Sequence, residues 1–376
     1  MIYLDSAATT LQKPTGVAWA VKKAVNKMAS PGRGGHRASM LAADTAYGCR
    51  ELLAELFSLP TAENIVFTFN ATHALNIAIK SIACPGDRVV VSGYEHNSVT
   101  RPLNAMGANV EVAASELYEP EMAVHAFESK ITEDTKLVVC NHVSNVFGYS
   151  LPIQRIGEIC KKNEVPFIVD ASQSAGVLDL NAQELGADFI AMPGHKGLYG
   201  PQGTGILICL KQPKTLIEGG TGSNSIEKTM PEILPDIAEP GTHNMPGIAG
   251  LKAGVEYVIR KGTANIFDHE QKLLTKAING MLTIPGVRMF KSEHLHCQTA
   301  VLSFNISGVD CEDVSSMLGE MGVAVRSGLH CSPLAHSTAG TLETGTVRVS
   351  FSAFNTSYDV NRFLNDLEYV SRKLRK

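Results

Sequence analysis

Short apolar runs rich in Val and Ile punctuate the chain from Ile65 to about Leu210: Ile65 to Phe69, Arg88 to Ser92, Leu137 to Cys140, Phe167 to Val169, Phe189 to Met192 and Gly205 to Leu210. Helix-length amphipathic stretches separate them, and this alternation predicts an α/β unit with a mostly parallel central sheet. The runs are continuously apolar rather than alternating, so both faces of the strands should be covered by helices. Sheets of this kind bind ligands beyond the carboxyl ends of their strands, which makes the residues after each run the ones to read for chemistry. After Gly254 the pattern changes to one long charged helix (Val255 to Met281), strand-like runs at Thr299 to Ile306 and Val347 to Phe351, and a polar helix from Tyr358. The expected organisation is a large domain over residues 15–254 and a smaller α+β domain over residues 255–376, completed by residues 1–14. The Pro- and Gly-rich stretch from Glu218 to Gly250 is too long for a turn and is expected to build a site or an interface.

Composition narrows the function classes. At 376 residues and 44% hydrophobic content the chain can bury a large core. Lys plus Arg number 33 against 37 Asp plus Glu, so there is no basic excess to track a nucleic acid. No apolar run reaches membrane-spanning length and Met1 to Asp5 do not read as a signal peptide, so the expected location is the cytoplasm. Eight cysteines over this length do not form a disulfide framework, and each is read as a thiol.

The strand ends carry the candidate chemistry. The run ending at Val169 leads into Asp170, and the run ending at Met192 leads into Pro193-Gly-His195-Lys196, 26 residues beyond Asp170. One crossover helix fits between them, and a right-handed crossover would bring the carboxylate and the amine out at one sheet edge. Pyridoxal phosphate needs such a pair: a Lys to hold it covalently and a carboxylate to keep its ring nitrogen protonated. A strand-capping Asp and a surface Lys would look the same on spacing alone. Three more strand ends add to the set. Asn70-Ala71-Thr72-His73 opens an apolar helix whose free amides and Thr hydroxyl suit a phosphate. Glu95-His96-Asn97 offers an imidazole that can stack on a ring. His142 to Asn145 offers an amide for the ring hydroxyl or a substrate carboxylate, as does Gln173.

The segments YLDSAATT (Tyr3 to Thr10), EHNS (Glu95 to Ser98), HVSN (His142 to Asn145), DASQ (Asp170 to Gln173) and GHKGLYGPQGTG (Gly194 to Gly205) together resemble the cysteine desulfurases. Those belong to the class V branch of fold-type I pyridoxal-phosphate enzymes, and the resemblance covers nearly the whole chain. It implies that Lys196 carries pyridoxal 5'-phosphate, that Asp170 pairs with the ring nitrogen, that His96 stacks on the ring and is a candidate proton relay, and that Gln173 contacts the phenolic oxygen. It also implies Asn145 close to cofactor and substrate, Thr72 and His195 as phosphate ligands, and Thr242, in EPGTHN, as a ligand donated by the second subunit of a homodimer. Relatives commonly carry a hydroxyl residue where this chain has Pro193, which has no donor to offer. His73 and the run Gly219 to Gly222 are the expected compensation.

Sulfur chemistry needs a thiol that accepts sulfur as a persulfide. Cys140 and Cys209 lie in apolar runs, and Cys49, Cys84, Cys160 and Cys311 lie in helical or turn contexts, where a small buried hydrophobe is expected. Cys297 follows His294 and His296 but lacks a second ligand group at zinc spacing, so no metal site is expected. Cys331 sits in the Gly- and Pro-punctuated segment VRSGLHCSP (Val325 to Pro333), with Arg326 and His330 near enough to favour a thiolate. The segment resembles the short active-site loop of group II desulfurases, with the thiol five residues after the Arg. Arg348, a charge inside the apolar run Val347 to Phe351, wants a carboxylate partner. On its own it reads as paired with a structural acid; the resemblance instead assigns it, with Arg326 and Asn145, to the substrate carboxylate.

The expected reaction is conversion of L-cysteine to L-alanine with sulfur passed to Cys331 and then to an acceptor protein or reductant. Selenocysteine or cysteine sulfinate as substrate, a class V aminotransferase or epimerase, and a cofactor-free sulfur carrier on the same fold are the competing readings.

Overall fold

The computed structural model describes residues 1–32, 34–223 and 225–375. Its strands in chain order are β1 (Ile2–Tyr3), β2 (Ile65–Thr68), β3 (Arg88–Ser92), β4 (Asn109–Ala113), β5 (Thr135–Asn141), β6 (Phe167–Asp170), β7 (Phe189–Pro193), β8 (Gly205–Cys209), β9 (Val287–Phe290), β10 (Val301–Ile306), β11 (Val323–Ala324), β12 (Arg326–Gly328) and β13 (Thr346–Ser350).

The six apolar runs of the first half all become strands of one seven-stranded sheet in the order β2-β8-β7-β6-β5-β3-β4. Only β8 runs against its neighbours, antiparallel to both β2 and β7; the remaining pairs are parallel. The seventh strand, β4, lies at the edge, and its half-exposed Asn-Val-Glu-Val-Ala sequence lacks the continuous apolar signal of the others. Because successive side chains face opposite ways, each central strand feeds two cores. Val90, Val138, Val169, Ile190 and Ile208 pack beneath helices Arg37–Leu56, Pro120–Lys130 and Ile153–Lys162. Val91, Val139, Ile168, Ala191 and Leu207 pack beneath helices Ala71–Ile82 and Asn97–Ala105.

The segment between β6 and β7 departs from expectation. Residues 171–188 cross over in turns without an α-helix. Gly176, at φ +83°, lays its backbone directly against the Gly197 carbonyl, where a Cβ would collide, so the crossover folds tightly onto the Lys196 loop. The single long helix expected over Val255 to Met281 is also two helices, Met245–Lys261 and Thr263–Met281. Gly262 breaks them by adopting φ +81°, a left-handed conformation that Gly enters without a Cβ penalty. Residue 254 therefore falls within the first of these helices. That helix packs on the large-sheet core through Ile248, Leu251 and Val255, and the helix after Gly262 packs on a separate core.

This second core lies over the antiparallel sheet β12-β13-β10-β9, under helices Thr263–Met281, Cys311–Glu320 and Ser357–Leu374. The C-terminal helix starts at a reciprocal cap in which Thr356 and Asp359 satisfy each other's backbone amides. Leu4 belongs to the same core, β1 pairs in parallel with β11, and Asp5 bridges to Ser350. The N-terminal residues are thus packed with the last third of the chain.

Asp5 also forms an ion pair with Arg348 of β13, Nη2 to Oδ1 at 2.8 Å, and with Arg326, Nε to Oδ2 at 3.1 Å. Arg348 is 2% exposed, so its charge has no water to fall back on. Asp5→Asn is expected to lower the free energy of unfolding by about 3–5 kcal/mol, the cost of stranding one partner of a buried pair. Urea denaturation of parent and variant, followed by circular dichroism, measures it.

Candidate active site

The parallel arrangement delivers the carboxyl ends of β2, β3, β5, β6 and β7 to one edge of the sheet. Two adjoining cavities open there. The inner one is lined by Thr72, His96, Ser98, Asn145, Asp170, Gln173, Pro193, His195 and Lys196, among others. The outer one shares His96, Asn145, His195 and Lys196 and adds Arg326, His330, Cys331 and Arg348. One cleft therefore joins residues from Ala7 to Arg348, 341 positions apart in the chain.

Lys196 follows β7 in a loop pinned from both sides. Gly194 N donates to Thr204 O at 2.9 Å, Gly200 N to Gly194 O at 2.7 Å and Tyr199 N to Lys196 O at 2.9 Å. From the N-terminal segment, the Thr10 hydroxyl and the Lys13 amine both donate to His195 O at 3.0 Å. Burial lowers the Lys196 amine to a pKa of about 8; Asp170 opposes the shift, while Arg348 and Arg326 reinforce it. An amine so placed is neutral far more often than a surface Lys and can act as nucleophile or base.

Asp170 ends β6, is buried, and accepts a hydrogen bond from Ser172 N at 2.9 Å. Behind it stands Glu95, a fully buried carboxyl that the sequence reading passed over. Its Oε1 accepts from the Ser92 hydroxyl at 2.6 Å and from Asn141 N at 2.7 Å, while Oε2 is buried without a partner. Burial pushes this carboxyl up to about 8, and the charge of Asp170 adds to the shift.

His96 caps helix Asn97–Ala105, accepting from Ser98 N through Nδ1 at 3.0 Å. In the neutral ring the proton then sits on Nε2. Burial holds its pKa below the usual His value; Asp170 opposes this, and Lys196 and Arg101 add to it. Asn70 caps helix Ala71–Ile82, and the Thr72 hydroxyl lies 2.7 Å from that of Ser98. A helix N-terminus with two hydroxyls can cradle an anion, and both hydroxyls line the cavity that Lys196 lines. His195 completes it; burial lowers its pKa to about 4, and its Nδ1 lies 2.9 Å from the Thr9 hydroxyl. Gln173 donates from Nε2 to Ala7 O at 2.9 Å.

Two of the cofactor residues expected from sequence lie outside this cleft. His73 stacks on Phe69 with ring centroids 4.7 Å apart and lines a neighbouring cavity together with Thr242, which was expected to serve the cleft of a second subunit. His73 was expected to compensate for Pro193, with Gly219 to Gly222, and none of these lines the cleft. Pro193 does line it, and the hydroxyl nearest in role is Ser98, already present in the EHNS segment but not assigned there.

The nucleophile candidate stands at the outer rim. Cys331 and Cys84 are exposed, whereas the other six cysteines are buried; all eight are free. Cys84 was expected to be a buried hydrophobe, but it follows the end of helix Ala71–Ile82 in a surface turn, its N–H bound to Asp87 Oδ2 at 2.7 Å. Cys331 and His330 form the centre of a four-residue turn closed by Ser332 N to Leu329 O at 2.8 Å, with φ of +57° and +50°. Positive φ at both central positions normally calls for Asn-Gly, and each non-Gly residue held there costs about 1–3 kcal/mol. External bonds hold the turn: Asn97 N donates to Cys331 O at 2.9 Å and Asn145 Nδ2 to His330 O at 2.8 Å. His330 was expected to favour the thiolate with its charge. Instead its ring is buried against Thr346, stacked on His336 at 5.7 Å, and pushed down to about 2 by burial with Arg348 adding, so it is a neutral packing group. Arg348 donates to Asn145 O at 2.7 Å as well as to Asp5, so it has the structural acid partner that its residue type calls for, and it also lines the outer cavity.

No cluster able to hold a metal ion occurs among the described residues, nor is any of their helices long and apolar enough to cross a membrane.

The aminotransferase class-V family profile matches residues 2–363. Among curated proteins, a probable cysteine desulfurase of Methanothermobacter thermautotrophicus is 33% identical over 98% of this chain and 94% of its own, and one of Pyrococcus abyssi is 32% identical over 100% and 95%. Among solved structures, the apo cysteine desulfurase of Thermococcus onnurineus superposes with a TM-score of 0.91 at 32% identity, covering 99% of this chain and 95% of that one. The cysteine desulfurase CsdA of Escherichia coli, in an S-sulfonic acid form, gives 0.88 at 27% identity with the same coverage. A fold shared along its full length, a cleft at the strand ends and relatives above 30% identity lead to one conclusion: the chain belongs to the class-V aminotransferase family, among its cysteine desulfurases.

Proposed function

We propose that the chain converts L-cysteine to L-alanine, with sulfur passing to Cys331 as a persulfide. The observation that carries the reading is the exposed Cys331 thiol, mounted on a strained turn at the rim of the cleft that holds the Lys196 amine. An aminotransferase has no use for a thiol there.

The donor set fits pyridoxal 5'-phosphate: a depressed amine, a buried carboxylate, a capped imidazole and an anion cradle within one cavity. Lys196 would hold it covalently, Asp170 its ring nitrogen, His96 its face and Gln173 its phenolic oxygen. Thr72, Ser98 and His195 would hold the phosphate, with Thr242 of a second copy reaching across a dimer. When bound, the cofactor draws electron density from the substrate's Cα and Cβ.

Arg348 and Arg326, each already on Asp5, keep further N–H groups for the substrate carboxylate, with Asn145 beside them. The neutral amine of Lys196 takes the Cα proton and later returns a proton to the carbon skeleton, with His96 as relay. The Cys331 thiolate attacks the substrate Sγ; an S–S bond forms while the Cβ–Sγ bond breaks, its electron pair remaining with carbon. Alanine leaves, and an external thiol or a sulfur-acceptor protein takes the terminal sulfur from Cys331. Eight free thiols suit a reducing cytoplasm.

Two measurements test this. With L-cysteine and a reductant, the holoenzyme is expected to form alanine and sulfide in equal amounts, and Cys331→Ala to lose both by at least about 100-fold, the scale expected when a nucleophile is removed; a keto acid without sulfide would point to transamination. In cofactor-free protein, acetylation of Lys196 followed by peptide mass spectrometry should rise with pH and be half-maximal at about 8, because only the neutral amine reacts. A midpoint above 10, as for a surface Lys, would remove the depressed amine from the mechanism.

A further inference from the structure

The turn carrying Cys331 is held from outside, and one side chain reaches both flanks of the nucleophile. Asn145 Nδ2 donates to His330 O at 2.8 Å, and Asn145 Oδ1 accepts from the Ser332 hydroxyl at 2.7 Å. His330, Ser332 and Asn145 are all buried, with Ser332 fully so, which strengthens both bonds against exchange with solvent. The same Asn145 lines both cavities of the cleft, and its backbone carbonyl accepts from Arg348. A carboxamide has two donor hydrogens and two acceptor lone pairs on its side chain. The turn takes one of each, which leaves one of each for the cleft.

A residue in the left-handed region persists there only when its surroundings over-determine it. Here two consecutive non-Gly residues do so, and without the two Asn145 bonds the turn retains Leu329 O to Ser332 N, the Asn97 amide on Cys331 O and the His330 ring on Thr346.

We propose that Asn145 is the positioning residue for the nucleophile: by binding the His330 carbonyl on one side of Cys331 and the Ser332 hydroxyl on the other, it holds the strained turn with the thiol over the cleft. It acts on the sulfur transfer through the turn, separately from any contact it makes with ligand. The proposal rests on the desulfurase reading and names the group that aims its thiol.

Hydrogen–deuterium exchange of the whole protein, followed on the peptide spanning residues 326–334, compares the parent with Asn145→Asp and Ser332→Ala. The carboxylate of Asn145→Asp keeps the shape but cannot donate to His330 O. Loss of such a buried bond lets the turn open about tenfold more often. Exchange in that peptide is therefore expected to accelerate about tenfold in Asn145→Asp and by a smaller factor in Ser332→Ala, while a peptide covering β10 keeps its rate. The second arm is turnover of L-cysteine, whose sulfur needs a thiol to accept it, against L-cysteine sulfinate, whose sulfur can depart without one. Asn145→Asp is expected to lose about tenfold more kcat on L-cysteine than on the sulfinate. Unchanged exchange across residues 326–334 in Asn145→Asp, or equal losses on the two substrates, overturns the proposal. A parent enzyme that yields alanine from neither substrate would sink the desulfurase reading instead, and the exchange arm would then judge the clamp alone.

Discussion

A guanidinium in the middle of a buried strand is the constraint around which the molecule is arranged. Arg348 is 2% exposed, and a charge so far from water needs a partner of opposite sign. The partner is Asp5, more than 340 residues earlier, and a further N–H goes to Asn145 O after β5. Three distant parts of the chain meet because one charge requires it: the N-terminal segment, the small antiparallel sheet and the edge of the large sheet. The cleft lies where they meet.

Within that frame, rigid and strained elements divide the work. Lys196, Asp170, His96 and Thr72 stand just beyond strands or at helix starts whose backbones are bonded on every side, so the ligand-holding groups inherit the stiffness of the sheet. Cys331 instead stands on a turn in an unfavourable backbone conformation, held by hydrogen bonds from Asn97 and Asn145. Such strain is stable only while those contacts persist, and it presents a thiol outward that a relaxed turn would leave free to swing. Burial does the electrostatic tuning: it lowers the amine of Lys196 and the imidazoles of His96 and His195, and raises the carboxyl of Glu95.

The strands of the large sheet could be located from sequence almost to the residue, because continuous Val and Ile runs have few other uses in a chain of this composition. The edge strand β4 escaped, since a half-exposed strand lacks that signal. So did the break at Gly262, where nothing local distinguishes a helix interruption from a tolerated glycine. The crossover between β6 and β7 looked long enough for a helix, but the close approach of Gly176 to Gly197 leaves it as turns. A helix start puts neighbouring residues on different sides, so Thr72 lines the inner cavity while His73 stacks on Phe69.

The sequence by itself determined the buried strands of the large sheet, the chemical types waiting at their ends and the thiol in a Gly- and Pro-bounded loop, because apolar runs and turn residues act locally. It could not show that Asp5 neutralises Arg348, that Ser98 stands beside Thr72, that His330 is neutral and packed, or that Asn145 grips both flanks of Cys331. Those relations depend on which groups burial leaves without water, and burial is settled only when distant segments close over one another.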